Sequence, residues 1–386
     1  MIKNKIRVLH TPAAVGGNIE NLSFSLRQLG LESKSLALLQ NKFLYHSDII
    51  VWSNKDSLII REIKRVKAIF YEIMNFDLIH FNFGTSMATP NCYPSRNEIS
   101  RGIKLYMAKM LGAFYTNILQ LAELNLLRLI NKPIFVTYQG DDARQGDYCL
   151  ANFEISIASQ VDESYYNKKS DNFKRRQIKR ITKFAKKIYA VNPDLLHVLP
   201  PSARFIPYSN ISLNEWIPSY KISNKNPLRI LHAPTHRKAK GTDLLLHALD
   251  SLKIEGYKFD LILVEGVSNS EAKKMYQSAD ILVDQLFAGW YGGLAVELMA
   301  LGKPVVVYIR DTDLKFIPTE MANDLPFIRA NPTNIKDVLK TIINKPRHEL
   351  ISTGRKSRAF VEKWHDPMKI ALEIKNDYLL ALDGSK

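Results

Sequence analysis

Short apolar runs alternate with segments of helical period along most of the chain. Ile6-Arg7-Val8-Leu9-His10 reads as a strand, and Ile19 to Leu29 as a helix with Leu22, Leu26 and Leu29 on one face, stopped by Gly30. Ser35 to Leu39, Asp77 to Phe81, Pro133 to Tyr138 and Lys187 to Val191 read as further strands, and Asn192-Pro193-Asp194 as a helix start. A second alternation begins at Leu228-Arg229-Ile230-Leu231-His232. It continues through helix 242–254, strand 259–264, helix 269–278, strand 280–283, helix 293–301 and strand 304–308. The last helical stretch, Pro346 to Leu382, is expected to break near His365-Asp366-Pro367. Such alternation predicts parallel sheets with helices on both faces.

Between the two alternations, Pro207-Tyr208-Ser209-Asn210 to Asn226-Pro227 is rich in Pro, Ser and Asn and has no period. At 386 residues the chain is too long for one compact core. The expected organisation is an α/β N-terminal domain over 1–206, a linker over 207–227, an α/β C-terminal domain over 228–365, and a last helix over 366–386 that crosses back to the first domain. Ligands of such sheets bind outside the carboxyl ends of the strands, so the loops there are expected to face one crevice.

Composition narrows the classes without choosing one. Hydrophobic content of 46% and charged content of 24% are ordinary for a globular protein. No apolar run approaches the ~18 residues that cross a bilayer, and no secretory signal is visible at the start. Cys92 and Cys149 form neither a disulfide framework nor a metal spacing, so a cytoplasmic location is expected. Asp, His and Cys spacings predict no metal site.

The net charge of +16 is uneven: residues 1–220 carry 29 basic and 18 acidic side chains. Such excess draws polyanions, and no nucleic-acid-binding motif accompanies it. The segment Lys168 to Lys187 is a basic amphipathic helix in this reading, with Ile178, Ile181, Ala185 and Ile188 as its apolar stripe. It suits either an anionic leaflet or a solvated face of a core-packed helix. The apolar stretch Ile103 to Ile130 is expected to pack in the core, with docking of a lipid-linked acceptor as the second reading.

The strongest chemical signal lies at Asp284-Gln285-Leu286-Phe287-Ala288-Gly289-Trp290-Tyr291-Gly292-Gly293-Leu294-Ala295-Val296-Glu297. An apolar strand ends in a glycine-rich loop that opens a helix, so the amides around Gly292, Gly293 and Leu294 are expected to face an anion. Glu297, one turn further on, is placed to accept ribose hydroxyls, and together these features suit a nucleotide diphosphate. Arg237 and Lys240 follow the strand 228–232, where they are read either as cations for a pyrophosphate leaving group or as part of a solvated basic loop. Gly16 and Gly17 follow the first strand, where backbone can approach a phosphate or an acceptor closely. Gln139, Gly140, Asp141 and Asp142 follow the strand 133–138. Asp141 or Asp142 is read as binding acceptor hydroxyls, orienting Arg144, or capping the loop. His80 is either a cleft residue or a satisfied strand-end histidine.

Five segments in this order resemble glycosyltransferase family 4, the retaining GT-B enzymes: Thr11 to Gly17, Thr137 to Asp141, Asn192 to Leu196, Ala233 to Thr242, and Asp284 to Pro304. The resemblance implies a GT-B fold, two Rossmann-like doubly wound α/β domains facing a central cleft. Lys240-Gly241 matches the family's phosphate lysine. The family's arginine position falls on Thr235, which leaves Arg237 as the nearest candidate, with Lys238 or His236 sharing its role. Glu297 matches the second of two glutamates, while the first position holds Gly289. The family's histidine before a glycine is Gln139 here. Base recognition is expected around Val264-Glu265-Gly266-Val267, with Glu265 in the donor site.

The same resemblance implies a glycosyltransferase that moves a sugar from a UDP- or GDP-sugar, with retention, to a glycan or lipid-linked glycan in cell-surface polysaccharide synthesis. The nucleotide-sugar is a co-substrate; neither cofactor nor metal is expected, and partners are the donor, the acceptor and peripheral contact with anionic membrane, but no specific nucleic acid. Gln139, Gly140 and Asp141 would lie on the acceptor side. The rival readings are a degenerate GT-B protein that binds nucleotide-sugars as a scaffold subunit, and a nucleotide-sugar epimerase.

Overall fold

Runs such as Leu78-Ile79-His80-Phe81-Asn82 bury every residue because helices cover both faces of a parallel sheet. In the computed structural model, residues 5–13, 15–41, 44–92 and 102–383 are described. Ala14 of the segment Thr11 to Gly17 and residues 384–386 of the expected last segment lie outside the described residues.

The first half contains β1 (Arg7–Thr11), α1 (Asn18–Gln28), β2 (Glu32–Leu39), β3 (Ile49–Trp52), α2 (Leu58–Asn75), β4 (Leu78–Asn82), α3 (Ile103–Leu129), β5 (Ile134–Tyr138), α4 (Gly146–Asn152), α5 (Lys168–Thr182), β6 (Ala185–Ala190) and β7 (Arg204–Phe205). The second contains β8 (Leu228–His232), α6 (Arg237–Lys240), α7 (Thr242–Ile254), β9 (Phe259–Leu263), α8 (Asn269–Ser278), β10 (Ile281–Val283), α9 (Gly293–Ala300), β11 (Val305–Val307), α10 (Thr319–Asp324), β12 (Ile328–Arg329), α11 (Ile335–Asn344), α12 (Arg347–Trp364) and α13 (Pro367–Asp383).

Seven strands form one parallel sheet in the order β3-β2-β1-β4-β5-β6-β7, and five form another in the order β12-β11-β10-β8-β9. Strand order reverses between β1 and β4 in the first sheet and between β8 and β10 in the second. Those two switch points are where loops part and leave a crevice.

Alternate residues of each strand feed opposite cores. Leu9, Ile79, Phe81 and Val136 meet Ala68 and Ile69 of α2, Leu124 and Leu127 of α3, and Ile178 and Ile181 of α5. On the other face Val8, Leu78, Phe135 and Tyr189 meet Leu22 and Leu26 of α1 and Ile370, Ile374 and Tyr378 of α13. The final helix thus packs on the first sheet, although it follows the second in sequence. Asp377 of α13 accepts from Lys187, Tyr189 and Arg204 at 2.7–2.8 Å. His80 is a satisfied core histidine: Nδ1 lies 2.6 Å from Tyr378 Oη and Nε2 2.7 Å from Thr137 Oγ1. Burial holds it well below its ordinary pKa.

Several local readings change. β3 and α2 occupy a stretch where the sequence pattern assigned no element; β3 is a four-residue edge strand, and α2 carries apolar side chains on its outer side as well as its inner one. The start at Asn192 yields one 3₁₀ turn, Pro193–His197, because Pro200-Pro201 bars a longer helix. The basic helix ends at Thr182; Lys186 and Lys187 belong to β6, which pairs with β5. Ala185 and Ile188 are therefore not on its stripe.

The stretch 103–130 is mostly not core. Its buried positions are Ala113, Thr116, Gln120, Glu123, Leu124 and Leu127 alone. A helix of 27 residues spans roughly 40 Å, against roughly 17 Å for the five-residue strands it follows and precedes, so most of α3 has no sheet to lie on.

Truncating Tyr378 to Ala empties a fully buried site and strands His80. Tyr378→Ala is expected to cost about 3–5 kcal/mol in denaturant unfolding, and a loss below about 1 kcal/mol would show that α13 does not brace the first sheet.

Candidate active site

At the second switch point the chain turns twice within a few residues. β8 ends at His232, whose Nδ1 lies 2.8 Å from the Val283 carbonyl and Nε2 2.9 Å from Thr242 Oγ1. The ring therefore donates to β10 and accepts from α7, as a neutral imidazole; burial lowers its pKa. The single turn α6 stops at Gly241, where φ is +81° and a Cβ would press the Phe287 ring at 3.0 Å. That left-handed joint lets α7 start in a new direction and leaves Lys240 pointing at the loop after β10. Its ammonium lies 2.6 Å from Gln285 Oε1 and 3.4 Å from Asp284 Oδ1. Asp284 in turn accepts the Gly292 N–H at 2.9 Å.

The Gly292 amide, expected to face an anion, is thus taken by Asp284, whereas no N-cap side chain bonds α9 and the Gly293 and Leu294 amides are left for a ligand. Glu297 stands one turn further on and is buried, which pushes its pKa up to about 8 although Lys273 and a hydrogen bond with Asn210 favour the charged form. The Asn210 amide also donates to the Gly293 carbonyl at 3.1 Å.

These groups face one cavity of about 440 Å³, lined by Gly16 and Tyr45 from the first half, by Asn210 from the linker, and by Thr235, Lys240, Glu265, Gly292, Gly293, Leu294 and Glu297 from the second half. The volume falls in the ~300–1,000 Å³ range of small-molecule sites. A second cavity of about 310 Å³ adjoins it, sharing Gly16, Thr235, Lys240, Gly292 and Gly293, and is lined from the first domain by Gln139, Gly140, Asp141 and Arg144.

Behind the wall of that second cavity Asp142, which does not line it, accepts the amides of Gln139 and Gly140, and burial pushes its pKa up to about 6. Asp141 accepts from Arg144 at 3.0 Å and from the Tyr165 and Tyr166 hydroxyls. Burial would raise its pKa, but Arg144 and the two tyrosines outweigh that and hold it low. Arg144 is buried and doubly bonded to Asp194, at 2.7 and 3.3 Å. Asp141 thus fixes Arg144 and two tyrosines and has no spare proton to give. Gln139 lines the cavity, and its amide nitrogen is buried without a hydrogen-bond partner.

Arg237 stands apart. Its guanidinium pairs with Glu265 at 2.8 Å and Asp243 at 3.6 Å on the rim, and it lines neither cavity. Gly17 lies behind Gly16, where a Cβ would meet the Asn210 carbonyl at 3.3 Å. Residues the pattern did not single out are Tyr45, Tyr276 and the linker residues Tyr208, Ser209 and Asn210. Tyr208 donates to Asn192 at 2.8 Å and the Ser209 amide to Asn18 at 2.7 Å. An aperiodic linker carries no signal for such contacts. Among the described residues, no three His, Cys, Asp or Glu side chains come together as a metal site.

Gly289, at the position of the missing glutamate, has φ +78°, and a Cβ there would lie 2.6 Å from Arg310 Nη1. The Arg310 guanidinium lies 3.7 Å over the Phe153 ring and bonds the Ile155 carbonyl and Asp313, each at 2.8 Å. The space a side chain at 289 would need is therefore filled by a cross-domain arginine.

The fold is GT-B. Over 99% of its length the chain is similar to sucrose-phosphate synthase of Thermosynechococcus elongatus, all of which is covered, with a TM-score of 0.60 at 15% identity. The catalytic domain of starch synthase IV from Arabidopsis thaliana, bound to ADP and acarbose, matches 98% of the chain over its full length, with a TM-score of 0.58 at 11% identity. Anabaena HepE in complex with UDP matches 96% of the chain over 98% of its own, with a TM-score of 0.55 at 12% identity. No family model and no curated protein matches the chain.

Two outcomes test this geometry. Glu297 keeps its proton to about pH 8 in the fold but only to its ordinary 4.5 when unfolded. The stability tied to that proton is full below about pH 4.5 and is lost as pH rises towards about 8. Glu297→Gln, which imitates the protonated acid, is expected to flatten the fall of Tm across that window relative to the wild type; superimposable Tm curves would refute the buried acid. Gly289→Glu, which restores the absent carboxylate, is expected to destabilise by about 2–4 kcal/mol through left-handed strain and overpacking, read by denaturant unfolding.

Proposed function

We propose that this protein is a retaining glycosyltransferase that takes a sugar from a UDP- or GDP-sugar and places it on a hydroxyl of a glycan or lipid-linked glycan, in cell-surface polysaccharide synthesis at the cytoplasmic side of a membrane. The observation that carries the reading is the convergence of Lys240, the open start of α9 and Glu297 on one cavity that runs into a second one between the sheets. The first cavity takes the nucleoside diphosphate, with Glu297 at the ribose and Glu265 towards the base. The second takes the sugar and the acceptor hydroxyl.

As the bond from the sugar's anomeric carbon to the phosphate oxygen breaks, negative charge grows on the diphosphate. Lys240 and the first amides of α9 take up that charge, which lowers the barrier because it is larger in the transition state than in the ground state. No metal enters this scheme. The acceptor oxygen attacks on the face the phosphate leaves, and its proton passes to the departing phosphate. Gln139 donates a hydrogen bond to the sugar, and Asp141 holds Arg144 in place beside it. Arg237 acts from the rim and not on the phosphates. Support for nucleotide-sugars as the donor class comes from the GT-B fold and from the neighbours solved with UDP or ADP.

A second reading has one observation behind it. Gly289 leaves the donor sugar without a carboxylate, which fits a subunit that binds the nucleotide-sugar and transfers nothing.

Calorimetry against UDP, GDP, CDP, dTDP and ADP tests the donor site. One nucleotide is expected to bind, and Lys240→Ala to weaken it about 10–100-fold. No binding to any of them would overturn the donor site. Binding of the sugar nucleotide without transfer to any acceptor glycan would favour the second reading, and retained anomeric configuration in the product would support the first.

A further inference from the structure

The first domain keeps many of its large apolar side chains out of every core. On α3, Ile103, Leu105, Met107, Leu111, Phe114 and Ile118 are exposed, Leu111 to 63%. On α2, Leu58, Ile59, Ile63, Phe70 and Met74 are exposed, Leu58 to 78%. The two helices lie side by side: Glu62 acts on the Tyr115 hydroxyl, and the buried Glu72 and Glu123 carboxyls face each other closely enough for Glu123 to push the Glu72 pKa up further. Their outer sides therefore make one surface.

The opening turns of α3 are exposed all round. From Ile103 to Lys109 every residue but Tyr106 is exposed, and the first buried position is Ala113. Glu123 accepts the amides of Met87 and Ala88, just past the end of β4, so it marks the level of the sheet's carboxyl edge. The ten residues before the first buried position (103–112) stand clear of the cores as a projecting arm. An amphipathic helix normally draws its stability from tertiary packing of its apolar face. Among the described residues, the apolar side chains Ile103, Leu105, Met107 and Leu111 of this arm are left exposed.

Among the described residues, the exposed charge on α3 and α5 has one sign. The only acid of α3, Glu123, is buried, and its charged outer positions are Lys104, Lys109 and Arg128. The only acid of α5, Asp171, is buried as well, while Lys168, Arg176, Lys179 and Lys183 are exposed on or just after that helix. A groove of about 300 Å³ runs between the two helices, with Phe114, Ile118 and Leu121 on one wall and Lys169, Arg176 and Arg180 on the other. Apolar side chains beside cations, with no exposed acid on either helix, match a leaflet that is oily below and anionic at its headgroups. Among the described residues no helix is long and apolar enough to cross a membrane.

We infer that α3, the outer side of α2 and the cationic edge of α5 seat the first domain on an anionic bilayer surface, with the α3 arm entering the headgroup–acyl boundary. This extends the membrane setting of the proposed function and uses none of the donor-site residues. Of the two membrane candidates visible in the sequence, the basic helix supplies the charge and the apolar one the insertion.

Flotation of the full chain with phosphatidylcholine vesicles, with and without phosphatidylglycerol, tests it. Binding is expected only with phosphatidylglycerol and is expected to weaken with salt. The triple variant L105D/M107D/L111D is expected to lower the bound fraction at least about tenfold, with an unchanged far-UV spectrum and Tm, since none of the three sites is buried. R176E/K179E is expected to remove the preference for the anionic lipid. Absence of binding at low salt, or a triple variant that binds like the wild type, would overturn the inference. So would a dimer in sedimentation velocity that the triple variant splits while vesicles stay unbound. Failure of the donor site would appear in the calorimetry and leave flotation untouched.

Discussion

Parallel strands cannot be joined by tight turns, and each crossover must leave from a carboxyl end and return to an amino end. Everything in the cleft depends on that constraint. At the switch points, between β1 and β4 and between β8 and β10, adjacent crossovers leave to opposite sides and their loops part. Gly16 sits at one opening and Lys240, Gly292 and Gly293 at the other, so loops of both sheets line the same space. Asp284 is the buried pivot there: it accepts from Lys240 and from the Gly292 amide and so fixes the loop against the end of β8.

The two domains are not held by the linker alone. α13 returns to the first sheet and ties down Lys187, Tyr189 and Arg204 through Asp377. Arg310 reaches from the second domain to Phe153 and Ile155. Asp313, which Arg310 also holds, accepts from His197 at 2.9 Å. The missing glutamate at 289 belongs to this account: the arginine that bridges the domains fills the space of its side chain.

Much of this was legible in the chain. The strand–helix alternation placed most strands within one or two residues, because buried parallel strands are short apolar runs and their helices carry a clear period. Lys240, Gly292, Gly293, Leu294, Glu297 and Glu265 stood out by position after strands, and they do line one cavity. Arg237 stood out for the same reason and does not, since residue spacing in a single-turn helix cannot say which way its side chain leaves. Asn210 and Tyr208 were hidden in an aperiodic linker whose contacts are all long-range. The 103–130 stretch looked like core, because composition does not reveal that a helix is longer than the sheet beneath it.

By itself, then, the sequence determined the fold class, the order of the elements, the glycine joints and the set of charged groups available for a phosphate. Those depend on local sterics and on patterns of a few residues. Tertiary structure decided which of the cations points at the loop before α9, what occupies the space beside Gly289, where the last helix lands, and which apolar helix stays out of the core. Those depend on the packing of segments far apart in the chain, and no local pattern encodes the distance between them.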